Sequence, residues 1–244
     1  MNRRILAPAA TGLILLGFWW LAVEWSGTII FPSPPDVARG LITLVERDVL
    51  GRYIRDSLYR VACGYGAAVL LGVPLGMLLG WYRQLGRAVN PVIQMLRPIS
   101  PLAWMPLAVI WFGVTDIAPI FLIFLASLFP IVVAAMNGVR NVPPMYLQAG
   151  RNFGLSPAQM IRRVVFPAVL PRIFVGLRIA FGVAWIVLVA AEMIAVDSGL
   201  GYLIIDARNA GKRYDLVVGG MIVIGVIGLM LDTLFRVMQP RTEN

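Results

Sequence analysis

The sequence predicts an all-α integral membrane protein of about six transmembrane helices, with both termini on the inner side and one long inner loop. Three observations carry that prediction. Of 244 residues, 59% are hydrophobic and only 14% charged, whereas soluble domains run near 45–50% apolar and about 25% charged. Six stretches reach the roughly 20 apolar residues that a helix needs to cross a bilayer. The charges, a net +9, sort to one side of those stretches.

The spans follow in order. The first covers about 5–23 and closes on Phe18, Trp19, Trp20 and Trp25, aromatics suited to a membrane–water interface. Arg3 and Arg4 ahead of an apolar run also fit a cleaved signal peptide. Bulky Trp19 and Trp20 stand where small residues should precede a cleavage site, so a retained helix is the better reading. The remaining spans cover about 58–81, 92–112, 117–138, 173–196 and 216–238.

With the N-terminus inside, the inner ends and loops hold Arg3, Arg4, Arg83, Arg87, Arg97, Arg140, Arg151, Arg162, Arg163, Arg172, Arg178, Arg236 and Arg241, and the only acid beside them is Glu243. The outer side carries eight basic and ten acidic residues, and Asp232 falls within the sixth span. A basic excess on one face orients a membrane protein with that face inward. The same distribution excludes nucleic-acid binding, because no basic cluster lies on a soluble fold.

Between the spans, the segment 31–56 is too polar to cross. Pro32-Ser33-Pro34-Pro35-Asp36 reads as a turn into a helix with Val37, Leu41, Leu44 and Val45 on one face, an outer-surface amphipathic helix. The chain thus divides into a first helix (1–30), this outer segment (31–56) and a membrane core (57–244). Within that core, the inner loop 141–171 is densely punctuated. Pro143-Pro144 opens a short helix and Gly154 suits the left-handed position that ends one. Ser156, Pro157 and Gln159 then occupy N-cap, N1 and N3 of a second helix, a capping box. That second helix is expected to stop near Pro167, since proline cannot continue a hydrogen-bonded interior. A loop with so much local instruction reads as a docking surface.

Within the loop, Gln148-Ala149-Gly150, Gly154 after three residues and Val164-Val165-Phe166-Pro167 after nine more resemble the EAA loop of ABC importer permeases. The family pattern is Glu-Ala-Ala, three residues, Gly, nine residues, Ile-x-Leu-Pro. The spacing, Ala149, Gly154 and Pro167 are kept, while Gln148, Gly150, Val164 and Phe166 depart from it. Two further blocks, Leu96–Ala108 and Glu192-Met193-Ile194-Ala195 with Ser198-Gly199-Leu200-Gly201-Tyr202-Leu203-Ile204, are similar to the nitrate/sulfonate/taurine/bicarbonate group of those permeases, as is the Pro32-Ser33-Pro34 turn. The resemblance covers about residues 30–240. It implies a type I ABC importer permease fold in a bacterial inner (plasma) membrane. It also implies a second permease copy in a homodimer, two cytoplasmic ATPase subunits, an extracytoplasmic substrate-binding protein and a small solute, an oxyanion by family, as cargo. Gln148, Ala149, Gly150, Gly154, Ser156, Pro157 and Pro167 become the candidate ATPase-coupling residues, and the lost Glu at Gln148 removes one charged contact.

Chemistry within the chain is sparse. There is no histidine and one cysteine, Cys63, which exclude imidazole relays, a disulfide framework and multi-cysteine metal sites; no metal or catalytic residue is expected. Cys63 reads as a small packing residue. No Gly-x-x-x-x-Gly-Lys-Ser/Thr phosphate loop exists, and the one lysine, Lys212, lies between Gly211 and Arg213 on the outer side. No cofactor is therefore expected in this chain, ATP and Mg falling to the partner ATPase. An intramembrane enzyme lacks a nucleophile and base. The alternative within transport is a gradient-driven carrier or channel, which predicts internal inverted repeats; none is visible.

The candidate translocation path comprises Arg97, Ser100, Trp104, Arg178 and Glu192. Pro98, Pro101 and Pro106 interrupt the third span, giving either a broken helix lining a pathway with Arg97, Ser100 and Trp104, or kinks satisfied by neighbouring helices. Charges within spans are costly and invite a functional reading. Arg178 either snorkels inward or faces an anion path. Glu192 pairs with an arginine, fixes an outer gate or sits at the interface. Asp232 is expected to pair with Arg236 one turn on. Gly72, Gly76 and Gly80, and Gly176, Ala180 and Ala184, recur every four residues, permitting close helix approach within a subunit or across a dimer.

Overall fold

A computed structural model describes residues 3–27 and 31–239, without the side chains of residues 3–9 and of Ala210. Arg241 and Glu243, and the side chains of Arg3 and Arg4, all counted above at the inner side, lie outside the description. The chain runs α1 (Arg3–Ser26), α2 (Pro34–Glu46), α3 (Val49–Trp81), α4 (Arg83–Leu96), a 3₁₀ turn (Pro101–Trp104), α5 (Met105–Phe112), α6 (Ile117–Arg140), α7 (Pro144–Asn152), α8 (Pro157–Met160), a π turn (Ile161–Val165), α9 (Phe166–Ala195), α10 (Leu200–Gly211) and α11 (Tyr214–Met238).

Four helical segments, 49–81, 117–140, 157–195 and 214–238, are long and apolar enough to cross a membrane. The pair α4 and 101–112 makes a fifth if taken as one span, bent by 79° at its break. In α1 the described part, Ala10–Ser26, is apolar as well. The third predicted span is thus broken where the prolines fall, and α4 begins nine residues ahead of it, at Arg83.

The centre of the bundle is α3 against α6 against α9. α3 lays small residues on α6. A Cβ on Gly76 would stand 2.5 Å from the Val132 carbonyl oxygen, and one on Gly72 would stand 2.9 Å from Ile131. Gly80 is held against Met136 and Val139, and Gly176 of α9 lies directly on Ala134. The four-residue glycine repeats therefore serve packing inside one subunit, bringing backbones close where a side chain would wedge them apart. Ala180 and Ala184 are fully buried in the same layer.

On the outer side α2 is amphipathic as predicted, with Val37, Gly40 and Leu44 buried and Gly40 and Leu41 lying against the start of α11. The Asp36 carboxylate accepts hydrogen bonds from the Ser33 hydroxyl and backbone N–H. The hydroxyl above all holds Asp36 below the ordinary carboxylate range. Residues 49–56, expected in the outer segment, instead form the first two turns of α3.

The largest correction concerns Pro167. The helix does not stop there; residues 157–195 are one helical segment of 39 residues, about 58 Å long at 1.5 Å per residue. The π turn at Ile161–Val165 ends one residue short of the proline and contains Arg163, four residues before it. Proline lacks an N–H and its ring collides with the carbonyl four residues back. A widened turn gives that carbonyl room, so the helix bends its hydrogen bonding without ending.

Candidate functional site

The coupling-loop residues are assembled by short-range geometry. α7 ends on Gly154 at φ +70°, whose N–H donates to the Arg151 carbonyl at 2.9 Å while Leu155 N–H reaches the Gly150 carbonyl at 3.1 Å. Ser156 and Gln159 form the predicted reciprocal cap: Gln159 N–H donates to Ser156 Oγ at 3.4 Å and Ser156 N–H to Gln159 Oε1 at 3.0 Å. Gly150 is buried beneath Met160, whose terminal atoms would lie 2.7 Å from a Cβ there; a flexible methionine over a glycine takes the place of the family's alanine. Gln148 and Ala149 are exposed. Phe153 is 85% exposed and Met145 66%, a concentration of bare apolar surface on a loop outside the spans.

At the opposite end of α9 lies a second centre. Glu192, fully buried, accepts from Arg60 Nη1 at 2.7 Å, from the Ser57 hydroxyl at 2.8 Å and from Gly201 N–H at 3.0 Å. Arg60, 2% exposed, donates in addition to Asp116 through Nε at 2.8 Å, to the Ser198 carbonyl through Nη1 at 2.7 Å and to Ser198 Oγ through Nη2 at 2.7 Å, and its Nη2 also stands 2.7 Å from the same Asp116 oxygen as an ion pair. Four of the five N–H bonds of the guanidinium are thus placed in hydrogen bonds. Ser57 Oγ accepts in turn from Leu200 N–H at 2.9 Å. The network ties α3, the start of α6, the end of α9 and the α9–α10 loop into one knot. Gly199 sits inside it at φ +107°, where a Cβ would overlap Glu192 and Arg60. The Glu192 and Ser198–Gly201 blocks are therefore two halves of one structure.

The path candidates separate into three places. Arg97 and Trp104 line a cavity of about 350 Å³ with Leu125, Phe129, Ile179 and Val183. Ser100 lies exposed at the break beside it. Arg178 points elsewhere, to α11, where Nε and Nη2 meet Asp232 at 2.6 and 2.8 Å. The expected Asp232–Arg236 pair is present at 3.5 Å, and the bidentate Arg178 pair, closer and facing both carboxylate oxygens, adds a stronger partner across the helix interface. Glu192 belongs to the knot, paired with an arginine as one of its readings allowed.

Residues 72–244 match the family described as "Binding-protein-dependent transport system inner membrane component". The chain belongs to that family. Among its relatives, this permease is 34% identical over 250 residues to "Taurine transport system permease protein TauC" of Escherichia coli (strain K12), covering 99% of this chain and 90% of that one. It is 35% identical over 240 residues to "Nitrate import permease protein NrtB" of Synechocystis sp., covering 95% and 86%. Its fold is shared with a chain of a bacterial ABC transporter involved in the import of the acidic polysaccharide alginate (TM-score 0.65, 18% identity, 99% of this chain and 100% of that one). It is shared too with a chain of the inward-facing MetNI methionine ABC transporter (TM-score 0.62, 20% identity, 79% and 97%).

Arg60, Asp116 and Ser57 were not singled out from the sequence of this permease, and Ser198 appeared only as part of a family block. Arg60 falls among Tyr59, Val61 and Ala62 at the edge of an apolar run and reads there as one more outer-side charge. The usable signal was its place, three residues after Ser57 on one helical face and two residues into a predicted span.

Proposed function

We propose that this permease carries a small oxyanion inward by alternating access, as a homodimer in a bacterial inner membrane, driven by two cytoplasmic ATPases that dock on α7 and α8 and supplied by an extracytoplasmic binding protein. The observation that carries this reading is the unbroken helical segment 157–195. It begins at the exposed loop and ends at Ala195, one turn past Glu192, so a displacement of the loop can be passed along one continuous helix to the far knot. ATP and Mg belong to the ATPase. The names of the taurine and nitrate relatives favour a sulfonate or nitrate-like cargo. Arg97 and Trp104 are the groups this reading sets on the path.

Proteoliposomes containing the permease, its ATPase and its binding protein test the proposal. Uptake of nitrate or taurine should require ATP inside the docked complex and cease with an ATPase-dead partner. Uptake that survives that partner, driven by an ion gradient, overturns it.

A further inference from the structure

Three cavities join end to end at the α7 end of the bundle. The first, about 320 Å³, is apolar, lined by Val73, Pro74, Met77 and Leu78 among others, and opens beside Trp81 and Tyr82. It shares Trp81, Val139 and Val165 with a second cavity of about 600 Å³. The second shares Arg83 and Arg140 with a third of about 390 Å³ whose lining is Arg83, Arg87 and Arg140. No carboxylate lines any of the three, and none of these arginines makes an ion pair among the described residues. The Arg140 guanidinium lies over Gly86, whose missing side chain admits it, and its Nε and Nη2 are buried with no hydrogen-bond partner. Buried donors of a cation left unpaired are costly, and three arginines around one pocket with no carboxylate beside them make a positive field that a bound anion would offset.

We infer that this continuous groove is a binding site for an anionic glycerophospholipid, its phosphate held by Arg83, Arg87 and Arg140 and one acyl chain laid along Val73, Met77 and Leu78. The sequence of surfaces matches that ligand: apolar wall, interfacial Trp81 and Tyr82, then a basic pocket at headgroup level. A soluble anion would use the arginines and leave the apolar cavity unexplained. An acidic side chain of a docked ATPase would do the same.

Native mass spectrometry of the permease–ATPase complex, released from nanodiscs of mixed phosphatidylglycerol and phosphatidylcholine, tests the site. Phosphatidylglycerol should be retained over phosphatidylcholine on the order of tenfold or more. Arg83→Ala/Arg87→Ala should remove most of that preference. Leu78→Trp, which fills the apolar groove at an exposed position and leaves the arginines intact, should lower lipid retention on its own, so the site can be judged even where the double arginine variant fails to assemble. Equal retention of the two lipids overturns the inference. So does displacement of phosphatidylglycerol by inorganic phosphate, or lipid bound only once the ATPase is stripped away.

Discussion

The two ends of the helical segment 157–195 are built on opposite principles. At the loop end every instruction is local: a glycine at positive φ, a serine–glutamine cap three residues apart, a proline at the first helical position. Much of the surface is exposed, and Met160, Gly150, Leu147 and Leu155 anchor it by packing against the ends of the neighbouring helices. At the other end the side-chain partners of Glu192 and Arg60 come from 56 to 138 residues away, and Ser57, Arg60 and Glu192 are buried together. A locally specified, exposed end can be grasped and released by a partner without unfolding. An end knotted from four distant segments moves as a unit or not at all. That asymmetry fits a part that receives a push and a part that must hold register while it does.

The sharpest way to break the knot is Glu192→Ala. It leaves the Arg60 guanidinium buried with Asp116 as its one remaining charged partner, and removing one member of a buried pair costs about 3–5 kcal/mol. Detergent-solubilised protein should show a large drop in its apparent melting temperature. An Arg60→Met/Glu192→Leu double variant should recover much of the loss, because well-packed apolar replacements of a buried pair are often neutral. A single variant with unchanged melting would show that the pair carries no stability.

Gly199→Ala comes next. Its φ of +107° is closed to a side chain, and the added methyl would strike Glu192 and Arg60. A strained backbone of this kind costs about 1–3 kcal/mol. Arg60→Met/Glu192→Leu should soften that cost by removing the atoms in the way, a coupling measurable as a double-mutant cycle of melting temperatures. Strict additivity would mean that backbone strain alone is at work.

How far each end is legible in the sequence follows the same division. Gly154, Ser156, Pro157 and Gln159 can be placed correctly because their partners lie within a few residues and each residue type has one dominant local use. The broken third span is visible in Pro98, Pro101 and Pro106, since a missing donor acts where it stands. Pro167 misleads because the rule forbids a regular α-helix, and the chain answers with a π turn. Asp232 is half legible: its one-turn neighbour Arg236 does meet it, but the closer partner, Arg178, reaches it across a helix interface that a single sequence does not show. Glu192 could be flagged as buried charge, but nothing in a single sequence says that Arg60, 132 residues earlier, is the arginine that meets it.

At the loop end the expected effects on the fold are smaller and the effects on partnership larger. Gly154→Val places a β-branched residue at φ +70° with nothing within 4 Å to clash, so the penalty is conformational alone, about 1–2 kcal/mol. It should leave the permease folded, with nearly unchanged melting, yet abolish co-purification with its ATPase by redirecting α8. Phe153→Ser should do the same by removing the most exposed ring of the loop. Variants that keep full ATPase binding and uptake would remove α7 and α8 from the coupling role.

The smallest effect belongs to the cap. Ser156→Ala removes the oxygen that accepts from Gln159 N–H at 3.4 Å, a long bond, and capping substitutions cost about 0.5–2 kcal/mol; this one belongs at the lower end. Because α8 continues into α9, fraying there would not stop at the loop. It would soften the first turn of the same segment that ends at Glu192, ahead of the π turn and Pro167. Hydrogen exchange should therefore quicken at 158–160 in Ser156→Ala while the amides of Leu200 and Gly201, bonded into the knot, stay protected. Exchange that quickens at both ends together would show that the two are one cooperative unit, and the contrast between a yielding end and a holding end would fall.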